Sequence, residues 1–147
     1  MGNWTMSRLK YFIVMLLAVI VAGKAYACVP TMMTDAERFE HASAVFYARI
    51  TRLGIPQGNT LSRATDAPLI GNFELIETFK GKPPEDGSVH EDQTSCSLPL
   101  LPGAYYVFFM FDERARSSWG GGSRGFLKAD DPEALRMLAE LRALKGR

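Results

Sequence analysis

Two cysteines, two histidines and two tryptophans are all that the 147 residues contain of these types. So few histidines and cysteines, with scattered acids, give no metal-ligand spacing, and the chain is expected to hold no intrinsic metal and no cofactor. No apolar run reaches the roughly 20 residues that a membrane-crossing helix needs. The longest, Tyr11 to Ala22, has about a dozen. Charge of one sign is also missing: 17 basic residues face 16 acidic ones. Nucleic-acid binding requires clustered basic charge, so it is not expected. The Trp119-Gly-Gly-Gly-Ser-Arg-Gly125 segment lacks the Lys-Ser/Thr ending of a phosphate loop and reads as a flexible hairpin connection.

What is present begins with an export signal. Arg8 and Lys10 precede the apolar run, Gly23 and Lys24 break it, and Ala25-Tyr26-Ala27 supplies small residues at the positions a signal peptidase reads. Residues 1–27 are therefore expected to be removed, with Met6 an alternative start. The functional part is then residues 28–147, secreted or periplasmic, meeting the membrane only during export. An uncleaved anchor and lipidation of Cys28 are the competing readings. Charged Lys24 and the Ala25-Tyr26 pair fit a lipidation box poorly. Loss of Arg8, Lys10 and Lys24 leaves fourteen basic residues against sixteen acidic ones. The remaining length suits one domain with a modest core.

Cys28 and Cys96 both lie in the exported part. In an oxidising compartment two cysteines read first as one disulfide. Closing a loop of about 70 residues stabilises by roughly 4 kcal/mol in the chain-entropy model. A free reactive thiol is the alternative.

Hydrophobic patterning then sets out a small all-β domain with helical trim. Thr34-Asp35-Ala36-Glu37 matches a capping box, so a short helix should run to about His41. Ala44 to Leu53 alternates, with Ala44, Phe46, Ala48 and Ile50 on one face, as a half-buried strand does. Leu69 to Lys80 reads as a second strand, with Gly71, Phe73, Leu75 and Phe79 on one face. Ser88 to Thr94 is a weak polar edge strand in which His90 and Glu91 point to opposite faces. Ala104 to Phe111 is apolar on both faces, the mark of a strand buried on two sides. A short strand follows near Gly125 to Lys128. Asp131 caps a terminal helix over about 131–145, Pro132 takes its first position and Gly146 follows its end. Leu135, Leu138, Leu141 and Leu144 form its apolar stripe. About five strands with a short N-terminal helix and a C-terminal amphipathic helix suggest a small OB-fold-like barrel.

No nucleophile–base pairing is visible, and a non-enzymatic role is expected. If cleavage follows Ala27, Cys28 gains a free α-amine, a group that titrates near about pH 8. That nitrogen and the carbonyl oxygen of the same residue can close a five-membered chelate on a metal. Held rigid by a disulfide, the pair could fill the open position of a catalytic zinc in another protein.

Cys28-Val29-Pro30, then Arg38 to Ile50 (RFEHASAVFYARI), resembles the opening of the tissue inhibitors of metalloproteinases, the TIMP family. It is also similar to short bacterial exported proteins with a TIMP-like, netrin-like module. The likeness continues through Phe73 to Gly81 (FELIETFKG), Cys96 and Gly103 to Phe108 (GAYYVF), covering about residues 28–128. It implies an OB-fold barrel and a metalloprotease inhibitor acting through Cys28 and Val29, with a zinc metalloprotease as partner. The family usually shows Cys-x-Cys at the mature N-terminus and a further cysteine after the aromatic strand. Here Pro30 and Gly120–Gly125 carry none. Cys28 matches the family's first, chelating cysteine if Cys96 is its partner, or the second if the Val-Pro pair sets the register. An extracytoplasmic protein- or glycan-binding module without inhibitory activity is the alternative, and an exported enzyme using free Cys28 is a third class.

Overall fold

A computed structural model describes residues 33–55, 68–91, 96–111 and 117–146. The expected leader, Cys28, Val29 and the Gly54–Pro68 loop from Pro56 to Ala67 lie outside them. Helix α1 (Asp35–His41) is followed by β1 (Ala44–Gly54), β2 (Leu69–Lys80), β3 (Ser88–Glu91), β4 (Tyr105–Met110), β5 (Arg124–Phe126) and helix α2 (Pro132–Lys145). The strands form one antiparallel sheet in the order β3-β2-β1-β4-β5. Among the described residues β3 and β5 do not pair, so the sheet stays open and a closed barrel is not what is observed.

Both helices start where their sequences direct. Thr34 Oγ1 accepts from the Glu37 amide at 3.2 Å, and the Thr34 amide donates to the Glu37 carboxylate at 2.7 Å. This reciprocal pair satisfies donors that every helix start leaves open. It also holds the Glu37 carboxyl below the usual carboxylate range, the Thr34 backbone bond being the main cause. Asp131 caps α2 by accepting from the Glu133 and Ala134 amides, with Pro132 at the first position.

The core lies on both faces of the sheet. On one face Ala44, Phe46, Ala48 and Ile50 of β1 pack with Val89, Leu98, Leu100, Tyr106 and Phe108. The Phe46 ring sits 5.2 Å from both Phe73 and Phe108. On the other, Val45, Tyr47, Val107 and Phe109 meet Met137, Leu138 and Leu141 of α2. β4 is thus buried on two sides, as its sequence indicates. β1 is not half-buried as expected, because α2 lies over the face carrying Val45 and Tyr47. The cost is visible at Tyr47: its hydroxyl is buried without a hydrogen-bond partner, and burial, then neighbouring Tyr105, raises its pKa.

Two further expectations need correction. Phe79 does not share the face of Phe73 and Leu75. The β1–β2 register slips between Val45 and Phe46 and again between Tyr47 and Ala48, leaving Phe79 and Ile76 as extra residues on β2. Each bulge reverses the in–out alternation. Phe73 therefore joins one core and Phe79 the other, while Leu75, on the face of Phe73, is left half exposed. On α2 the buried stripe is Ala134, Met137, Leu138 and Leu141, with Leu144 partly covered and Leu135 exposed. The helix is rotated so that Met137, not Leu135, meets the sheet.

The turn after β2 depends on Gly81, whose φ of 61° is in the left-handed region. A β-carbon there would run into the Ser43 carbonyl oxygen. Gly81→Ala is expected to lower stability by at least about 2 kcal/mol in urea titration. Gly54→Ala, where nothing lies within 4 Å of the added carbon, should change it by less than about 0.5 kcal/mol.

α2 is also fastened to β2 by charge. Arg142 donates from Nε and Nη2 to the Glu77 carboxylate at 2.6–3.2 Å, and Lys145 Nζ donates to the Thr78 carbonyl at 2.7 Å. The Arg142 hydrogen bonds pull the Glu77 carboxyl below its ordinary range. A lowered carboxyl pKa favours the folded state above the unfolded value and loses that effect as pH falls through the folded value. The melting-temperature gap between the parent and Glu77→Gln should therefore be present at neutral pH and shrink as pH falls below the ordinary carboxylate range. A gap that persists in acid would contradict the assignment.

Candidate functional site beside Cys96

From Cys96 to Leu101 the chain carries little regular structure, yet it is pinned at several points. The Cys96 carbonyl accepts from the Trp119 amide at 3.1 Å and from Ser118 Oγ at 3.4 Å. Ser97 bridges Ser118, and the Leu98 amide reaches the Ser117 carbonyl at 3.3 Å. The Ser117 amide in turn donates to the His90 carbonyl at 2.9 Å. Next, the Glu91 carboxylate accepts from the Leu100 amide at 2.8 Å. Tyr106 then spans the final turn: its hydroxyl accepts from the Leu101 amide at 2.8 Å and donates to the Pro99 carbonyl at 2.9 Å. Buried backbone polar groups must find partners somewhere, and here side chains supply them in place of a ladder.

That pinning puts Leu98 and Leu100 into the core while turning Leu101 outward, half exposed. Gly71 leaves the room that Leu100 fills: a β-carbon there would lie 2.7 Å from its Cδ1. A shallow cleft of about 220 Å³ opens over Pro99, Leu101, Tyr106 and Trp119, with Gly125 and Leu127 of the β5 end as the opposite wall. Leu127 is 76% exposed and Trp119 52%. Exposed apolar side chains grouped in a concavity are more informative than isolated ones. Among the described residues no ionisable side chain other than the Tyr106 phenol lines the cleft. Burial raises the phenol's pKa and the nearby Glu91 charge adds to this, while the Leu101 amide bond opposes them. Such a surface can grip an apolar side chain or extended backbone. It offers no evident acid, base or nucleophile.

Cys96 borders this cleft through its bonds to Ser118 and Trp119, and its thiol is not free. Cys28 and Val29, the residues expected to carry the chemistry, lie outside the described residues. His41 ends α1 exposed, and His90 contributes its carbonyl to the Ser117 bonds. The His90-Glu91 pair is thus used structurally, with Glu91 occupied by a backbone amide. Among the described residues no group of three or more His, Cys, Asp or Glu converges, and no helix is long and apolar enough to cross a membrane.

The glycine-rich connection is more ordered than its composition suggests. Gly121 donates to Ser118 Oγ at 3.3 Å, Gly122 to the Trp119 carbonyl at 3.0 Å and Ser123 to the Ser118 carbonyl at 3.2 Å. Gly125 is required for contact, because a β-carbon would lie 2.6 Å from the Tyr106 ring. The cleft itself was signalled only by the apolar Leu98-Pro-Leu-Leu-Pro run in a loop and by Trp119 ahead of the glycines.

Tyr106→Phe removes one acceptor and one donor from buried backbone partners. It should destabilise by about 1–3 kcal/mol and speed amide exchange at Leu101, while exchange in α2 changes only with global stability. Unchanged Leu101 protection would show that the hydroxyl does not hold the loop. No protein-family model and no curated protein matches this chain.

Proposed function

We propose that the chain is an exported, non-catalytic, TIMP-like OB-fold domain that binds another extracytoplasmic protein beside Cys96, its specific form being inhibition of a zinc metalloprotease through Cys28 and Val29. The observation that carries this reading is the placement of Cys96. It lies between β3 and β4, pinned by backbone bonds next to an exposed apolar cleft, and its thiol is not free. A Cys28–Cys96 disulfide would deliver a new N-terminus to the cleft's rim. The α-amine and carbonyl of Cys28 would cap the partner's zinc, while Leu101, Trp119 and Leu127 grip apolar residues around its active site. Cys96 as partner favours the register in which Cys28 is the chelating cysteine.

The OB-fold part of the proposal draws support from strand order. A curved five-strand sheet with β1 between β2 and β4 closes when its outer strands, β3 and β5, meet. The bond from Ser117, upstream of β5, to the His90 carbonyl of β3 would fall on such a seam, which supports the reading.

A second reading, a protein-binding module without inhibition, is favoured by one observation: the described residues Leu101, Trp119 and Leu127 already line an exposed apolar cleft. Intact mass of the exported protein comes first. The reading requires a chain beginning at Cys28, without lipid and two hydrogens lighter than its reduced form. A different first residue, or two free thiols, removes the zinc-capping mechanism. Titration of that protein against a panel of zinc proteases should then give inhibition that is lost on acetylating the α-amine. Absence of inhibition alongside zinc-independent capture of a secreted protein would select the binding module.

A further inference from the structure

The surface between α1 and α2 is independent of the Cys96 cleft. Two adjoining hollows of about 260 and 480 Å³ share Ala36 and Leu144, so they form one groove. Each exceeds the roughly 150 Å³ that accommodates a benzene-sized apolar group. The walls are apolar: Ala36 and Phe39 from α1, Met137, Leu141 and Leu144 from α2. No residue of α1 is fully buried, so its apolar side is only partly used by the fold.

The rim is acidic. Among the described residues, Asp35, Glu37, Glu40 and Glu140 line it with a single cation, Lys80. The Lys80 ammonium is turned onto the Phe39 and Glu40 carbonyls at 2.8 and 2.6 Å. Asp35 is engaged by Arg38 and Arg124, and Glu140 by Arg136. Glu40 therefore presents negative charge at the mouth, and Glu37 adds to it while its carboxylate accepts from Thr34. This charge repels phosphate headgroups and nucleic acid. A second copy joined groove to groove would set like charges against each other.

We propose that this groove docks a helical segment of a protein partner, carrying two apolar anchors one turn apart and flanked by Lys or Arg. Adjoining hollows match anchors at i and i+3 or i+4, and the carboxylates at the mouth select the flanking cations. This goes beyond the Cys96 reading, and neither requires the other.

The test is an NMR titration of the isotope-labelled protein with an amphipathic Lys/Leu helical peptide and its Glu/Leu counterpart. Shifts from the Lys/Leu peptide should be confined to α1, α2 and Lys80, and its affinity should fall with added salt. Ala36→Trp, which fills the groove from an exposed position, and Glu40→Lys should each weaken binding by roughly tenfold with the melting temperature unchanged. The proposal is overturned by an absence of shifts, by shifts elsewhere, by equal affinity for the Glu/Leu peptide, or by variants that bind as the parent does. Protease titration reads the Cys96 site separately, so failure of one leaves the other standing.

Discussion

Everything in this fold is arranged around a strand that must be covered twice. Residues Ala44 to Ala48 of β1 are buried without a break, and a single sheet can cover neither of its own faces. On one side the cover is local, made by Val89 and by Leu98 and Leu100 of the loop before β4. On the other it comes from the far end of the chain, where Met137, Leu138 and Leu141 of α2 close over Val45, Tyr47 and Val107. Burying each of these large side chains contributes about 1.5–3 kcal/mol. Neither cover is optional, and the sheet without α2 would expose Val107 and Phe109 along with half of β1.

The irregularities of β2 follow from the same demand. A straight β2 would carry Phe73 and Phe79 to one face, where only one core would gain. Bulges at Ile76 and Phe79 let β2 serve both cores in turn and bend it toward β1. They also leave Leu75 and Ile76 exposed. The β2 edge beyond β3 is irregular rather than flat, and Arg142 and Lys145 of α2 lie across it on Glu77 and Thr78. Charge and bulges at an exposed edge discourage pairing with other chains.

Much of the architecture was legible in the sequence because it rests on short-range rules. The Thr34–Glu37 box, the Asp131-Pro132 start and the two-sided apolarity of β4 are local patterns, and each took the expected form. What was not legible depends on distant partners. Nothing within Ala44 to Leu53 says that a helix some ninety residues later covers its second face. Nothing in Leu69 to Lys80 marks where the register slips against β1. The exposure of Leu135 is likewise set by the angle at which α2 meets the sheet. At the site, Cys96 was legible as a residue to watch. The Leu101–Trp119–Leu127 cleft was not, since its walls come from three stretches brought together by the β4–β5 ladder, the Tyr106 hydroxyl and the Ser117–Trp119 bonds.

The attachment of α1 differs in kind from that of α2. The terminal helix is seated by apolar burial, whereas α1 is moored mainly by Asp35 to Arg124 and by the Lys80 ammonium at its carbonyl end, with Phe39 only partly covered. Detaching it would uncover less apolar surface than detaching α2, whose Ala134, Met137, Leu138 and Leu141 are all buried. Local opening of α1 is accordingly expected at a lower free energy than opening of α2, with faster amide exchange in the first helix than in the last.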